Sequence, residues 1–315
     1  MTVLDSLLRN TSFSIASDLA TRVANTLLFI LISRSLGVPS AGTFSLGMSY
    51  FFIGSRFSYC GLDNLLTRDV ARQRNEAGRY LVNFMALRMV TAIVTIITVG
   101  VIIRFFPYSQ QTRMVVLFIC FSILPESISE LCQALFIAFE RMHYLTLVSI
   151  LDGMFKLTLG FLFLQASANV KIIAFVVTGV NILSMGAYLF LAIKLIRPQW
   201  KIDWPFCARQ LRIAIPFLFI GLFFILDNRV DIVLLSILSD ERAVGLYSAA
   251  ITIITALAMV PQGFRTAIYP ILARYQAMDT KAAFRLYSRS FKYLLLLSLP
   301  MTLGTSLIAD EIIQL

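Results

Sequence analysis

Apolar runs of about twenty residues recur along this chain, with short polar stretches between them. A membrane-crossing helix needs about 20 consecutive, mostly apolar residues. Nine runs meet that length, at roughly 12–33, 42–60, 81–103, 114–139, 145–165, 172–193, 213–237, 243–264 and 290–309. Membrane β-strands would instead alternate in segments of about ten residues. The pattern therefore predicts an all-α polytopic membrane protein of about nine transmembrane helices. The longest connections are 61–80, 194–212 and 265–289, and none is large enough to hold a soluble catalytic domain.

Composition agrees. Only 14% of the 315 residues are charged and 58% are hydrophobic, against roughly 25% charged in soluble domains. Most of the chain therefore cannot face water. The net charge of +10 lies in short loops, which points to topology and not to nucleic acid. Of the 27 Lys and Arg residues, 17 flank spans on the side of the N-terminus, 5 lie on the opposite side and 5 lie inside spans. This bias places the N-terminus in the cytoplasm. Cys60, Cys120, Cys132 and Cys207 show no metal or redox spacing and read as packing residues. The first run is too long for the core of a cleavable signal and reads as a retained helix. Trp200, Trp204 and Tyr59 at span ends fit an interfacial belt.

A repeat runs through the chain at an offset of 203. Leu8-Arg9 matches Leu211-Arg212, and GTFS (42–45) matches GLYS (245–248). Helices 1 and 2 are therefore counterparts of helices 7 and 8. Repeats of this kind mark transporters. They divide the chain into a six-helix lobe, residues 1–200, and a partial second lobe of three helices, 201–315. The second lobe thus reads as lacking its last spans.

The spans carry more charge than lipid tolerates. Asp18, Arg22, Arg56, Arg88, Glu126, Glu130, Asp152, Lys156, Asp227, Arg229 and Asp231 all fall within them. Each would cost about 2.5–3.5 kcal/mol at the bilayer centre. They must pair or line water. Asp18–Arg22 and Asp152–Lys156 are i,i+4 couples with the acid first, the favourable order. Helix 1 adds Asn10, Ser14, Ser17, Thr21 and Asn25 on the same face, more than one salt bridge requires. Glu126 and Glu130 are like charges one turn apart. One must be protonated, or each must find a cation on another helix, with Arg56 and Arg88 the obvious candidates. In FFILDNRVDIVLL (223–235), Asp227 and Asp231 share a face that should look toward helix 1, and Arg229 points away. The amphipathic, basic segment 61–80 is expected on the cytoplasmic leaflet against anionic headgroups. The single histidine, His143, reads as a solvated loop residue in ERMHY. No catalytic or nucleotide-binding motif is present, so no enzymatic activity and no cofactor are expected.

SRSLGVPSAGTFSLGMSYFF (33–52), GLDNLLTRDVAR (61–72), NRVDIVLLSILSDERAVGLYSAA (228–250) and VPQGFRTAIYPILAR (260–274) resemble the polysaccharide-biosynthesis flippases. These are O-antigen-type exporters of lipid-linked oligosaccharides, within the multidrug/oligosaccharidyl-lipid/polysaccharide exporter superfamily. The likeness runs over nearly the whole chain. It implies two facing lobes, alternating access, and transfer of an undecaprenyl-diphosphate-linked unit from the cytoplasmic to the outer leaflet. Arg22, Arg56 and Arg88, with Asn25, Lys156 and Arg265, are the positions that could meet the diphosphate. Asp18, Glu126, Glu130, Asp152, Asp227 and Asp231 are the cavity or coupling carboxylates, for H+ or Na+. Membrane lipids, glycosyltransferases and a polymerase of the same pathway are the expected partners. Family members usually have twelve to fourteen spans, against nine here. Two other readings stand: cation-coupled multidrug extrusion, and a truncated membrane scaffold for glycosyltransferases.

Overall fold

The computed structural model describes residues 3–166, 169–278 and 280–307, excluding some side chains within helices, among them those of residues 3–11, Asp227 and Arg265. All regular structure among the described residues is helical. The order is α1 (Val3–Leu36), α2 (Val38–Tyr59), α3 (Leu62–Arg72), α4 (Ala77–Phe105), α5 (Gln110–Phe121), α6 (Ile123–Ala138), α7 (Met142–Ala166), α8 (Val170–Leu195), α9 (Trp204–Leu238), α10 (Glu241–Met278) and α11 (Thr280–Leu307). Each predicted span falls on a helix, except the fourth, which falls on two. Among the described residues, six stretches are long and apolar enough to cross a membrane: Ala16–Leu36, Arg74–Phe105, Gln110–Ala138, Met142–Ala166, Val170–Leu195 and Trp204–Phe223. The runs at 42–60, 243–264 and 290–309 lie on α2, α10 and, as far as Leu307, α11, but outside that set.

The reason is clearest for α2. Its Gly, Ser and Thr residues lower its apolarity, yet Gly42, Thr43, Ser45, Gly47, Ser49, Gly54, Ser55 and Ser58 are buried. Small residues let backbones approach closely, the usual basis of helix packing in lipid. α2 packs on α1, α4, α5 and α9, so it is a central helix and not a lipid-facing one. The lipid-facing surface is elsewhere, at exposed Val94 and Ile97 on α4, Met154 and Leu162 on α7, and Leu183 and Phe190 on α8. The main packed core joins α3, α4, α6, α8 and the start of α9, around Leu65, Leu66, Phe84, Leu131, Phe136 and Phe206. All four cysteines are buried.

α5 and α6 are one predicted span broken at Ser122. Pro125 has no amide to offer the Phe121 carbonyl four residues back. The Ser122 amide turns to Ile119 instead, at 3.0 Å. That frees the Phe118 carbonyl, and the Thr178 hydroxyl of α8 lies 2.9 Å from it. A second adjustment follows α2. Gly61 takes a positive φ of 72°, and any side-chain carbon there would meet the Ala214 carbonyl and Phe217 of α9 at 2.6 Å. Only glycine fits this turn.

His143 differs from expectation. It is the second residue of α7, half-buried, with its ring 6.3 Å from Phe13 and 4.2 Å from Tyr144. α7 starts at Met142, three residues before the predicted span, which carries His143 onto the α1–α7 contact.

The segment between α8 and α9 is fastened to α4. The Asp203 amide donates to Asn83 Oδ1 at 2.6 Å, and Asn83 Nδ2 donates to the Lys201 carbonyl at 3.3 Å. Asp203 also caps α9 by accepting from the Phe206 amide at 3.0 Å and pairs with Arg79 at 3.0 Å. The Phe206 amide and Arg79 together hold the Asp203 carboxyl below its usual range. By packing, the chain divides into Met1–Gly245 and Leu246–Leu315. α9 lies in the first unit, where it packs along α2, α3 and α4.

Candidate functional site

The spans of the first unit carry two polar centres and one open stripe. The first centre is built by α2, α3, α4 and α6 around Arg88. Its guanidinium is 0% exposed. Nη2 donates to both oxygens of Asp63, at 2.7 and 2.6 Å, and to Glu130 at 3.1 Å. Arg56 Nη2 donates to the other oxygen of Glu130, at 3.1 Å. Tyr59 presents its ring to both cations, at 5.2 Å from Arg56 and 5.3 Å from Arg88. Two arginines thus meet two carboxylates. Arg88 Nε and Nη1 have no hydrogen-bond partner among the described residues; the Tyr59 ring face is a favourable surface for the guanidinium. Burial pushes the Asp63 carboxyl up to about 6, against the opposing pull of Arg88.

Glu130 therefore finds cations on two other helices, as its spacing from Glu126 required. Glu126, one turn earlier on α6, forms no ion pair among the described residues. Asp63 went unpredicted. Its position was readable: on α3 it shares a face with Leu66 and Val70, both buried.

The second centre lies between α7 and α8. Lys156 Nζ is 2.7 Å from Asp152 Oδ2, and the Ser184 hydroxyl donates to Asp152 Oδ1 at 2.7 Å. One turn away, Ser17 of α1 donates to Ser149 at 2.8 Å, and Ser149 lies 3.4 Å from the Tyr188 hydroxyl.

The stripe is on α1. Ser17 is buried against α7, where Ala24 and Leu28 pack on Gly153 and Gly160. Asp18, Thr21 and Asn25 are exposed and Arg22 is half-buried. The predicted Asp18–Arg22 pair is absent among the ion pairs of the described residues. Of the six positions expected to meet a diphosphate, Arg56 and Arg88 come together on Glu130, Lys156 is occupied by Asp152, and Arg22 and Asn25 share the open face of α1. Arg265 lies outside the described side chains.

Among the described residues the main neighbours of α9 are α2, α3 and α4. A repeat relates α1 to α9 without requiring them to touch. Arg229 does face the packed side, with its guanidinium 4.6 Å over the Phe52 ring of α2. Asp231 accepts from the Ile232 amide at 2.8 Å, and Asp227 lies outside the described side chains.

A family model described as polysaccharide biosynthesis protein matches residues 7–276. No curated protein matches the chain. Solved structures share its fold. The MATE multidrug transporter DinF-BH aligns with a TM-score of 0.63 at 14% identity, over 95% of this chain and 71% of its own. A multidrug resistance MATE family transporter of the MOP superfamily, in an inward-facing conformation, aligns with a TM-score of 0.65 at 11% identity, over 93% and 71%. A MOP superfamily transporter from Pyrococcus furiosus, described by the reverse polarity of its binding pocket, aligns with a TM-score of 0.60 at 13% identity, over 98% and 72%.

Proposed function

The chain belongs to the polysaccharide biosynthesis protein family, and from that premise we propose that it flips a lipid-linked oligosaccharide across the inner membrane by alternating access. The substrate class is an undecaprenyl-diphosphate-linked unit carried from the cytoplasmic to the outer leaflet. The observation that supports this reading is Arg22. Among the described cations within spans, Arg56, Arg88 and Lys156 are each held by a carboxylate. Arg22 forms no ion pair among the described residues, although Asp18 lies one turn away, and it shares its face with exposed Thr21 and Asn25. A cation on a spanning helix that no carboxylate pairs is costly in lipid and suited to a water-filled path. A diphosphate is the anion that would complete it. Charge reversal, Arg22→Glu, should abolish surface polysaccharide while leaving the protein in the membrane. Undiminished export by that variant would overturn the reading.

Drug extrusion is the second reading, supported by the fold shared with two multidrug transporters. A susceptibility panel in a pump-deficient host separates the two: flipping leaves drug tolerance unchanged. H+ or Na+ is the coupling ion in this reading, and collapse of each gradient in turn identifies which.

A further inference from the structure

We propose that α2 and α10, counterpart helices of the two repeats, close one end of the transport pathway through a reciprocal glycine contact latched by Glu241. This rests on the transporter reading above. Shifting Val38, the first residue of α2, by the repeat offset of 203 lands on Glu241, the first residue of α10, and Gly42 lands on Gly245. These four residues touch. A side-chain carbon on Gly42 would overlap the Glu241 carbonyl and lie 2.8 Å from the Gly245 nitrogen. One on Gly245 would overlap the Val38 carbonyl and lie 2.8 Å from Val38 Cγ1.

Each glycine thus meets the carbonyl four residues before its counterpart, and swapping the repeats interchanges the two contacts. This is the self-complementary pattern of a two-fold interface, here within one chain. Neither glycine has a positive φ, so the need for glycine is the close approach itself. Cα–H groups facing carbonyls recur where helices pack this tightly.

Side chains at the same end complete the closure. Glu241 accepts from the Thr112 hydroxyl at 2.5 Å and from the Ser109 hydroxyl at 3.3 Å. Both donors stand at the first turn of α5, where free amides favour an anion. Tyr108, in the connection before α5, lies 2.7 Å from Ser236 on α9. These groups border a polar cavity of about 290 Å³ lined by Leu46, Tyr108, Ser236, Asp240, Glu241 and Val244. On the charge bias of the loops, this is the outer end.

The test uses a buried reporter and no substrate. Ser49 lies two turns from Gly42 on the same face of α2 and is 0% exposed, with its hydroxyl donating to the Ser45 carbonyl of its own helix. In the purified full chain carrying Ser49→Cys, maleimide labelling of that position should be slow. Gly42→Ala or Gly245→Ala should each speed it at least tenfold, and both together should add little, because they break one contact. Alanine favours helix over glycine, so helicity by circular dichroism should be retained. Unchanged labelling in both variants would overturn the proposal. A second variant guards against misfolding: Thr112→Cys with Glu241→Cys, bridged by a short reducible thiol cross-linker. Bridging should stop export and reduction should restore it, whereas export by the bridged protein would overturn the gate. Faster labelling in the alanine variants of a chain that exports no polysaccharide would support the gate and discard the substrate.

Discussion

Arg88 and Arg22 both sit within predicted spans of the same unit, and their surroundings are opposite. Arg88 is sealed between two carboxylates from α3 and α6. Arg22 stands on α1 beside exposed Thr21 and Asn25, one turn from exposed Asp18, with no ion pair among the described residues. Partners from other helices make the difference. Four helices converge on Arg88, whereas α1 is packed along one side, mainly on α7 and α2. An ionised group in a membrane helix is therefore not a functional group by its presence alone. Arg88 holds helices together, and Arg22 is left available.

The comparison breaks first at Arg88. Arg88→Met strands Asp63 in the interior and leaves Glu130 to Arg56 alone, and removing one partner of a buried pair costs about 3–5 kcal/mol. The purified protein should melt at a much lower temperature. Adding Asp63→Asn should recover most of the loss, because Glu130 keeps Arg56 and no buried charge then lacks a partner. The same centre should give a pH dependence. Asp63 titrates near 6 when folded, against about 3.9 when unfolded. Between those values the folded chain holds the extra proton, so this group's contribution to stability is present below about pH 4 and is lost as pH rises through about 6. Asp63→Asn should flatten that part of the melting profile. Arg56→Gln should be milder, about 1 kcal/mol or less, since Arg56 is 32% exposed and Glu130 keeps Arg88. Arg22→Glu should be smallest in stability, within about 0.5 kcal/mol, and largest in export. Equal loss of melting temperature in the Arg22 and Arg88 variants would erase the distinction.

Helix positions were legible in the sequence because a run of about twenty apolar residues has few other structures open to it. Pairing was legible only in part. Asp152–Lys156 and Asp18–Arg22 have the same spacing and order, yet only the first forms. An i,i+4 pair contributes about 0.2–0.5 kcal/mol alone, too little to hold two long side chains. Ser184 of α8 fixes Asp152 from outside its own helix, and no described residue does so for Asp18. Tertiary partners decided the matter, and spacing does not reveal them. Asp63 shows the reverse case: an acid on the apolar face of α3 was visible, but its meaning waited on Arg88 lying above it. The neighbours of α9 were not legible, since symmetry between repeats says which helices correspond and not which ones touch.

The Asn83 staple has a mechanical consequence. A connection between repeats is ordinarily a slack tether that lets each half turn freely. Here its last residues are clamped to α4 by a fully buried amide side chain, so torque applied to the start of α9 is transmitted to α4 and not dissipated in a loop. The nearest compliant point lies inside α9, at Pro216, where the ring removes a backbone hydrogen bond. Rotation of one repeat against the other would then be geared through a bend in a helix, with the covalent joint itself standing still.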